Sequence, residues 1–299
     1  MKTNLYKTFS IALFVGMFSL CLLGLFERDA SAATSPTLAG VADYSVLAGD
    51  EVTCTGSTTT TGDVGVSPGT LITGFPVPCV AGPPGTTYSN DASAIAAQAD
   101  ALTAFGTLDQ PCDQTFGAVD LTATFPSGVG PGVYCSTSSF TLTGNLDLTG
   151  SGVWIFKTVS TLITSPGSSV TGGDPCNVWW RIGSSTTLDT TTSFVGTIIS
   201  QNGANAMNTG ATLNGRFLGL SAATVTLDAN TISGPTCVPS LGPGGGGSSG
   251  PGGGGSSPGL PNAGIGPEGK SNISWNVLVP TGFVIALSSF FLARKKWAI

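Results

Sequence analysis

The side chains best able to do chemistry in this chain are its carboxylates. Between Thr34 and Ser240 there are thirteen of them, against the three cations Lys157, Arg181 and Arg216. Asp189 and Asp228, with Arg181 or Arg216 nearby, form the one set that could cleave a glycan. One carboxyl would protonate the leaving oxygen and the other would activate water. Histidine is absent, which excludes Ser-His-Asp and Cys-His nucleophiles, imidazole proton shuttles and His-ligated metal. No groove-forming insertion accompanies the aspartates, so they are expected to serve corners and solubility; no catalytic residue, metal or cofactor is assigned, and the chain is not expected to be an enzyme. Three cations against thirteen anions leave a net of about −10 over this region, compared with −6 for the whole chain. Nucleic acid is excluded on the same ground, since no basic stripe exists to displace its counterions.

The elements that must position these groups are read from an internal repeat. Val133–Gly150, Val153–Gly172, Val178–Gly196, Thr197–Gly215 and Arg216–Gly234 are copies of about twenty residues ending in Gly, and Tyr44–Gly65 is a looser sixth. Each holds three short runs rich in Thr, Val and Ile. Three β runs and three turns in that length predict one rung of a β-solenoid, with corners at Gly, Asn and Asp. Rungs stacked about 4.8 Å apart predict inward columns. One runs through Leu148, Val170, Phe194, Leu213 and Ile232, the other through Leu142, Leu162, Leu188, Met207 and Leu227.

Outward rows follow from aligning the copies on their final Gly. The first is Asp147, Ser169, Ser193, Thr212 and Thr231; beside it lie Thr149, Thr171, Val195, Asn214 and Ser233. The corner before them carries Thr190, Thr209 and Asp228. On the neighbouring face Asp189, Asn208, Asp228 and Ile163 interrupt the hydroxyl pattern. One segment departs from the β pattern: in Asn90–Leu108 the residues Ile95, Ala99, Leu102 and Phe105 recur at helical spacing. Asn90 or Asp91 is a suitable N-cap and Gly106 a stop, so one amphipathic helix is expected to cover a solenoid face.

The two ends of the chain are read as targeting rather than fold. Lys2 and Lys7, the apolar run Phe9 to Phe26 and Ala30-Ser31-Ala32 predict a signal peptide over 1–32, and hence an extracellular protein. Residues 241–259 are nearly all Gly, Ser and Pro, a flexible tether reaching roughly 25 Å on average. Beyond it, 260–299 combine Leu260, Pro261, Asn262, Ala263 and Gly264 with an apolar stretch, 273–293, and the basic tail Arg294-Lys295-Lys296. The stretch is long enough to predict a transmembrane helix. The four parts together resemble an LPxTG-like sortase sorting signal, with Ala263 where Thr is usual, which implies sortase and the cell envelope as partners. Once Cys21 is removed, Cys54, Cys79, Cys112, Cys135, Cys176 and Cys237 remain, an even set that reads as disulfides in an exported chain. Pairing of sequence neighbours is expected: Cys54 with Cys79, Cys112 with Cys135, Cys176 with Cys237.

The region 33–240 resembles the ice-binding-protein-like family known as DUF3494. The resemblance is carried by Tyr44–Gly74, the Ala-rich segment Asp91–Leu108, Gly132-Val133-Tyr134, and the runs LTGNLDL, VWIFK, NVWWRIGSS, FVGTI, TGATLNGR and AATVTLDANTI. It implies an all-β, right-handed parallel β-helix of triangular cross-section with one long α-helix packed along a face. It also implies a surface-tethered protein that adsorbs to the ice crystal surface through a flat Thr/Ser-rich face, without a covalent step. Thr209-Gly210-Ala211-Thr212 matches the T-A/G-x-T/N pattern seen on the ice-binding face of some members. The implied face therefore comprises Thr149, Ser169, Thr171, Thr190, Ser193, Thr209, Thr212, Asn214, Thr231 and Ser233. The alternative is a wall-anchored adhesin or structural surface module that meets a glycan or another cell.

Overall fold

The computed structural model describes residues 32–83, 85–234 and 236–237. The export signal apart from Ala32, the tether 241–259, the pentapeptide 260–264 and the apolar stretch 273–293 lie outside the described residues. The transmembrane helix expected there has no counterpart in the structure: no helix among the described residues is long and apolar enough to cross a membrane.

Among the described residues twenty-four short strands build three sheets, and every strand pairing is parallel. Each coil passes once through all three. One coil, for example, contributes Trp154–Thr158 to the first sheet, Leu162–Thr164 to the second and Ser169–Gly172 to the third. The stack is the expected β-solenoid, but its coils do not follow chain order. Tyr44–Ala48 pairs with Phe217–Gly219, aligning Val46 with Phe217 and Leu47 with Leu218. Glu51–Thr55 likewise lies on Thr224–Asp228, and Thr59–Thr60 on Thr231–Ile232. The first coil of the chain thus stacks on the last, and a second coil, from Asp63 to Ala81, lies beyond it. The expected single loose copy, Tyr44–Gly65, is a coil and the start of the next.

The chain rewinds through the long helix, Ala92–Thr107. It starts beside Thr87–Ser89 at one edge of the nine-stranded first sheet and leads to Gln114–Phe116 at the other. Sixteen residues give a rod of about 24 Å along a sheet about 38 Å across. Asp91 caps its N-terminus, accepting from the Ala94 N–H at 2.9 Å. The buried face is Ala94, Ala97, Ala101, Ala104 and Phe105. The expected stripe is reversed except at Phe105: Ile95 is 53% exposed, Leu102 57%, and Ala99 also faces solvent. The sheet supplies the bulk, through Leu47, Ile155, Trp179, Ile199 and Leu218. Only a helix face of alanines can approach such a surface closely. Gln98 donates to the Ala48 carbonyl at 2.9 Å and the Gly219 carbonyl at 3.0 Å, so one side chain fastens the helix across the junction of first and last coils.

Inside, parallel register places like positions above one another. Tyr134, Phe156 and Trp180 share one register row and stack, with centroids 5.4 and 4.2 Å apart, and Phe194 leans on Trp180 at 4.7 Å. Two expected inward columns shift. Leu146, not Leu148, lies beside Val170, because aligning the copies on their final Gly slips the Val133–Gly150 copy by two residues. In the second sheet Leu162 pairs with Phe140 and Thr186, whereas Leu142 pairs with Thr164. A threonine therefore occupies a core column. It is satisfied there, its hydroxyl lying 2.9 Å from that of buried Thr192 and accepting from the Asp189 N–H.

In five successive coils the corner between second and third sheets is made by one left-handed residue: Gly167, Thr191, Gly210, Ala229 and Gly56, with φ between +50° and +74°. The backbone ladder continues through it, from Gly167 N–H to Thr190, Thr191 N–H to Thr209, Gly210 N–H to Asp228 and Ala229 N–H to Thr55. The residue after Gly56 is exposed, but in the other four coils the next residue is buried: Ser168, Thr192, Ala211 and, in the coil ending at Gly234, Asn230. Its amide donates to the carbonyls of Asn208 (2.9 Å) and Ala211 (3.1 Å) and accepts from the Asp228 N–H (2.7 Å). All three disulfides pair as expected: Cys54–Cys79 joins the first two coils, Cys112–Cys135 holds the helix exit, and Cys176–Cys237 ties down the segment that follows the last coil. Asn230→Ala would remove three hydrogen bonds; the Asn208 and Ala211 carbonyls would keep the Ala211 and Thr231 N–H groups while the Asp228 N–H would lose its amide acceptor, and the change is expected to cost about 1–3 kcal/mol. Thermal and denaturant unfolding measure that loss, and an unchanged midpoint would show that the amide brace contributes nothing.

Candidate functional site

The third sheet leaves its outer side to solvent, and its register gathers most of the expected hydroxyls. Ser169, Ser193, Thr212 and Thr231 align in one outward row. The structure extends the row to Thr59 and Val80 through the coils that stack out of chain order. Beside it run Thr171, Val195, Asn214, Ser233 and Thr61, with Thr61 placed by its N–H to the Ile232 carbonyl. Asn145, not Asp147, heads the first row; Asp147 heads the second, opposite Thr171. Thr149 falls outside both rows, its N–H bonding to Val129 beyond the end of the strand. Thr190 and Thr209 sit at the corner, as expected. Thr59 and Thr61 escaped sequence reasoning because alignment on a final Gly left Thr55–Gly62 (TGSTTTTG) unplaced.

The motif Thr209-Gly210-Ala211-Thr212 acquires a physical reading. Gly210 turns the corner at φ +74°, Ala211 is fully buried, and Thr212 then points outward. Thr191 and Ala229 do the same turn in the related runs, at the modest cost of a side chain in the left-handed region.

Hydrogen bonding separates the two open faces. In the middle of the third sheet the hydroxyls of Ser193, Thr212, Thr231 and Thr59 have no partner within the described protein and are left for water. At its edge Ser169 and Thr171 both donate to Asn145, at 2.8 and 3.1 Å. The second sheet carries a longer outward row: Asp120, Thr141, Ile163, Thr187, Ala206, Thr226, Thr53 and Thr73. Several of its hydroxyls are already used: Thr141 donates to Val119 O, Thr53 to Glu51 and Thr73 to Val52 O. Charge borders it as well. Asp189 accepts from Asn208 at 3.0 Å, Asp228 accepts from Thr209, and Glu51 lies alongside.

The described cations are all spent on the helix side. Lys157 donates to Asp109 and to the Gln110 carbonyl, each at 2.8 Å. Arg181 donates to the Phe105 carbonyl at 3.0 Å, with its guanidinium 4.0 Å over that ring. Arg216 donates to the Ala42 carbonyl. The set considered for glycan cleavage is therefore not assembled, because Asp189 and Asp228 stand at the opposite corner, between second and third sheets. Exposed aromatic side chains, the usual platform for a sugar, are also absent among the described residues.

Hydrogen bonds from Lys157 hold the Asp109 carboxyl below its ordinary range, and those from Asn208 and Thr190 do the same for Asp189. Burial pushes Asp120 up, but hydrogen bonds from Thr122 and Thr143 outweigh it and the carboxyl ends below. Burial raises Asp63 and pushes Tyr44 up to about 12.

The family profile described as Ice-binding-like covers residues 46–233. The chain is 38% identical over 217 residues to an ice-binding protein of Nostoc sp. (strain HG1), spanning 70% of this chain and 77% of that protein. It is 32% identical over 211 residues to one of Flavobacterium frigoris (strain PS1), spanning 65% and 74%. Among solved structures, an ice-binding protein from an Antarctic biological consortium superposes with a TM-score of 0.61 at 34% identity, over 70% of this chain and 95% of that one.

Carboxyls with lowered folded pKa contribute stability above their unfolded value and lose it as pH falls through the folded one. Asp109, Asp120 and Asp189 follow that sign and Asp63 the reverse, while no side chain here titrates ordinarily between pH 5 and 8. The melting temperature is accordingly expected to stay level over that interval and fall below about pH 4. A step between pH 5 and 8 in a pH series of melts would contradict this assignment.

Proposed function

The chain belongs to the ice-binding-like family, and on that premise we propose that its solenoid adsorbs to ice through the outer side of the third sheet. The observation that carries the choice of face is the run Ser193, Thr212, Thr231 and Thr59: four consecutive coils with solvent-directed hydroxyls that no protein group occupies. Asn214, Ser233 and Thr171 widen the run without adding charge, and Thr190 and Thr209 border it.

The physical requirements are those of a rigid, uncharged template. Coils repeat about every 4.8 Å, and outward neighbours on a strand lie roughly 6.8 Å apart, so hydroxyls and methyls form a grid. A threonine methyl discourages bulk-like hydration while its hydroxyl anchors a water. Its χ1 is already restricted, so little side-chain entropy is lost on adsorption. A carboxylate would orient water around itself instead. The expected role is to hold a cell to ice or to modify crystals nearby.

An extracellular setting is supported by the three disulfides, which persist in oxidising surroundings. We read Leu260, Pro261, Asn262, Ala263 and Gly264 as the point where a sortase would join the chain to the envelope; these residues lie outside those described. Chain released from digested cell wall is expected to end at Ala263 with a wall fragment attached. Recovery of chain continuous through Gly264 would exclude that linkage.

Paired substitutions test the face. Thr212→Tyr should abolish crystal shaping and recrystallisation inhibition while the melting temperature holds. Thr226→Tyr, centred on the second sheet, should leave both intact. The reverse pattern would move the contact to the second sheet, and unshaped crystals with the unmodified protein would refute ice adsorption itself.

A further inference from the structure

The chain contains two Asn-Gly pairs within the fold, Asn202-Gly203 and Asn214-Gly215, and the structure treats them differently. Asparagine followed by glycine is prone to deamidation. The glycine amide nitrogen attacks the asparagine Cγ, a C–N bond closes a five-membered succinimide, and the Cγ–Nδ2 bond breaks. The amide proton leaves with the nitrogen as ammonia. Water then adds to either imide carbonyl, giving aspartate or isoaspartate, so the balance is one water in and one ammonia out. The reaction needs a glycine N–H that is not held in a hydrogen bond and a side chain with room to swing behind it.

Asn202 and Gly203 meet both needs. They form the exposed corner between Thr197–Ser200 and Ala204–Met207. The Asn202 N–H reaches Ser184 O only at 3.4 Å, and the Gly203 N–H and the Asn202 carboxamide have no partner in the described protein. Gly203 is anchored by its carbonyl instead, which accepts from the Thr224 N–H at 3.1 Å and from Asn205 at 3.4 Å. The attacking nitrogen is thus free in an otherwise fixed corner.

At Asn214 and Gly215 the side chain is exposed but the first need fails. The Gly215 N–H donates to Ser233 O at 3.0 Å within the coil-to-coil ladder, and the position is buried. Its packing is close enough that a Cβ there would fall 1.9 Å from the Gly196 carbonyl oxygen. Freeing that nitrogen for attack would require breaking its ladder bond to Ser233 and opening the coil.

We infer that Asn202 is a site of spontaneous deamidation and that the ladder keeps Asn214 intact. The protected residue is the one on the hydroxyl grid, where a new carboxylate would stand among Val195, Ser233 and Thr212. The labile one lies at the corner of first and second sheets. The inference stands on hydrogen bonding and holds whether or not the grid binds ice.

The test is to age the purified chain in warm, mildly alkaline buffer and to locate amide-to-acid conversion by fragmentation mass spectrometry. In the folded chain Asn202 should convert at least about tenfold faster than Asn214, because Asn214 reacts only from a locally opened state. In denaturant the two rates should converge, since both are Asn-Gly. Equal rates in the folded chain, faster conversion at Asn214, or an Asn202 that survives folded but converts when denatured would each overturn the proposal. Crystal shaping by the aged protein is a separate readout: its retention with Asn202 converted matches the placement of the corner, and its loss would put Asn202 at the ice contact.

Discussion

Backbone hydrogen bonding from coil to coil, in parallel and without slippage, is the constraint on which the rest of this molecule depends. Side-chain period along a strand is two, so a slip of one residue would turn core outward and grid inward. The register is defended most strongly at the corners, where chain direction changes and the ladder is easiest to lose. Between second and third sheets a left-handed residue in each of five successive coils keeps N–H and carbonyl pointing along the axis, and Asn230 spans two coils with one amide. The row of hydroxyls exists because those corners stack. Thr212 faces solvent as the outcome of Gly210 turning and Ala211 tucking in.

Much of this was legible in the sequence. Twenty-residue periodicity, Gly at the copy ends and an even cysteine set point to a solenoid with three clasps, and the disulfide pairs follow from neighbour pairing. The errors have specific causes. Leu148 and Thr149 were placed two residues out because the Val133–Gly150 copy runs past its strand before reaching Gly. Ile95 and Leu102 looked like the helix core because they are the largest apolar residues at helical spacing. The helix instead meets a sheet that already supplies Trp179 and Ile155, and only alanine fits against those. Thr59 and Thr61 were missed because stacking order cannot be read from chain order when a helix carries the chain back along the stack. For the choice between the two open faces the sequence offered only the interruptions at Asp189, Asn208, Asp228 and Ile163; which hydroxyls already have internal acceptors is visible only in the fold.

Charge follows the same division of labour. Carbonyls near the end of the helix and in the N-terminal segment need donors, and Lys157, Arg181 and Arg216 serve them while covering Phe105 and Asp109. A cation beside a helix C-terminus is favoured by its dipole as well. With those three committed, the open faces carry only neutral and acidic groups, and the acidic ones collect at a corner and at the stack edges. The chemical blandness of the third sheet therefore depends on the helix side having taken the positive charge.

The stacking of the first coil on the last also bears on how the molecule is made. Thr55 and the Leu227 carbonyl it donates to are 172 positions apart. A chain emerges from the ribosome N-terminus first, so the segment from Tyr44 to Ala81 is complete long before its main neighbour exists. Until then its strands have an open edge, the kind of surface that recruits the wrong partner. Assembly cannot proceed rung by rung from the start, as a simple solenoid would. It must wait for the coil Arg216–Gly234 and then seat it between the first coil and the coil Thr197–Gly215. Pairing across such a sequence separation is the kind that slows folding in general, because loop closure must precede the contacts that reward it.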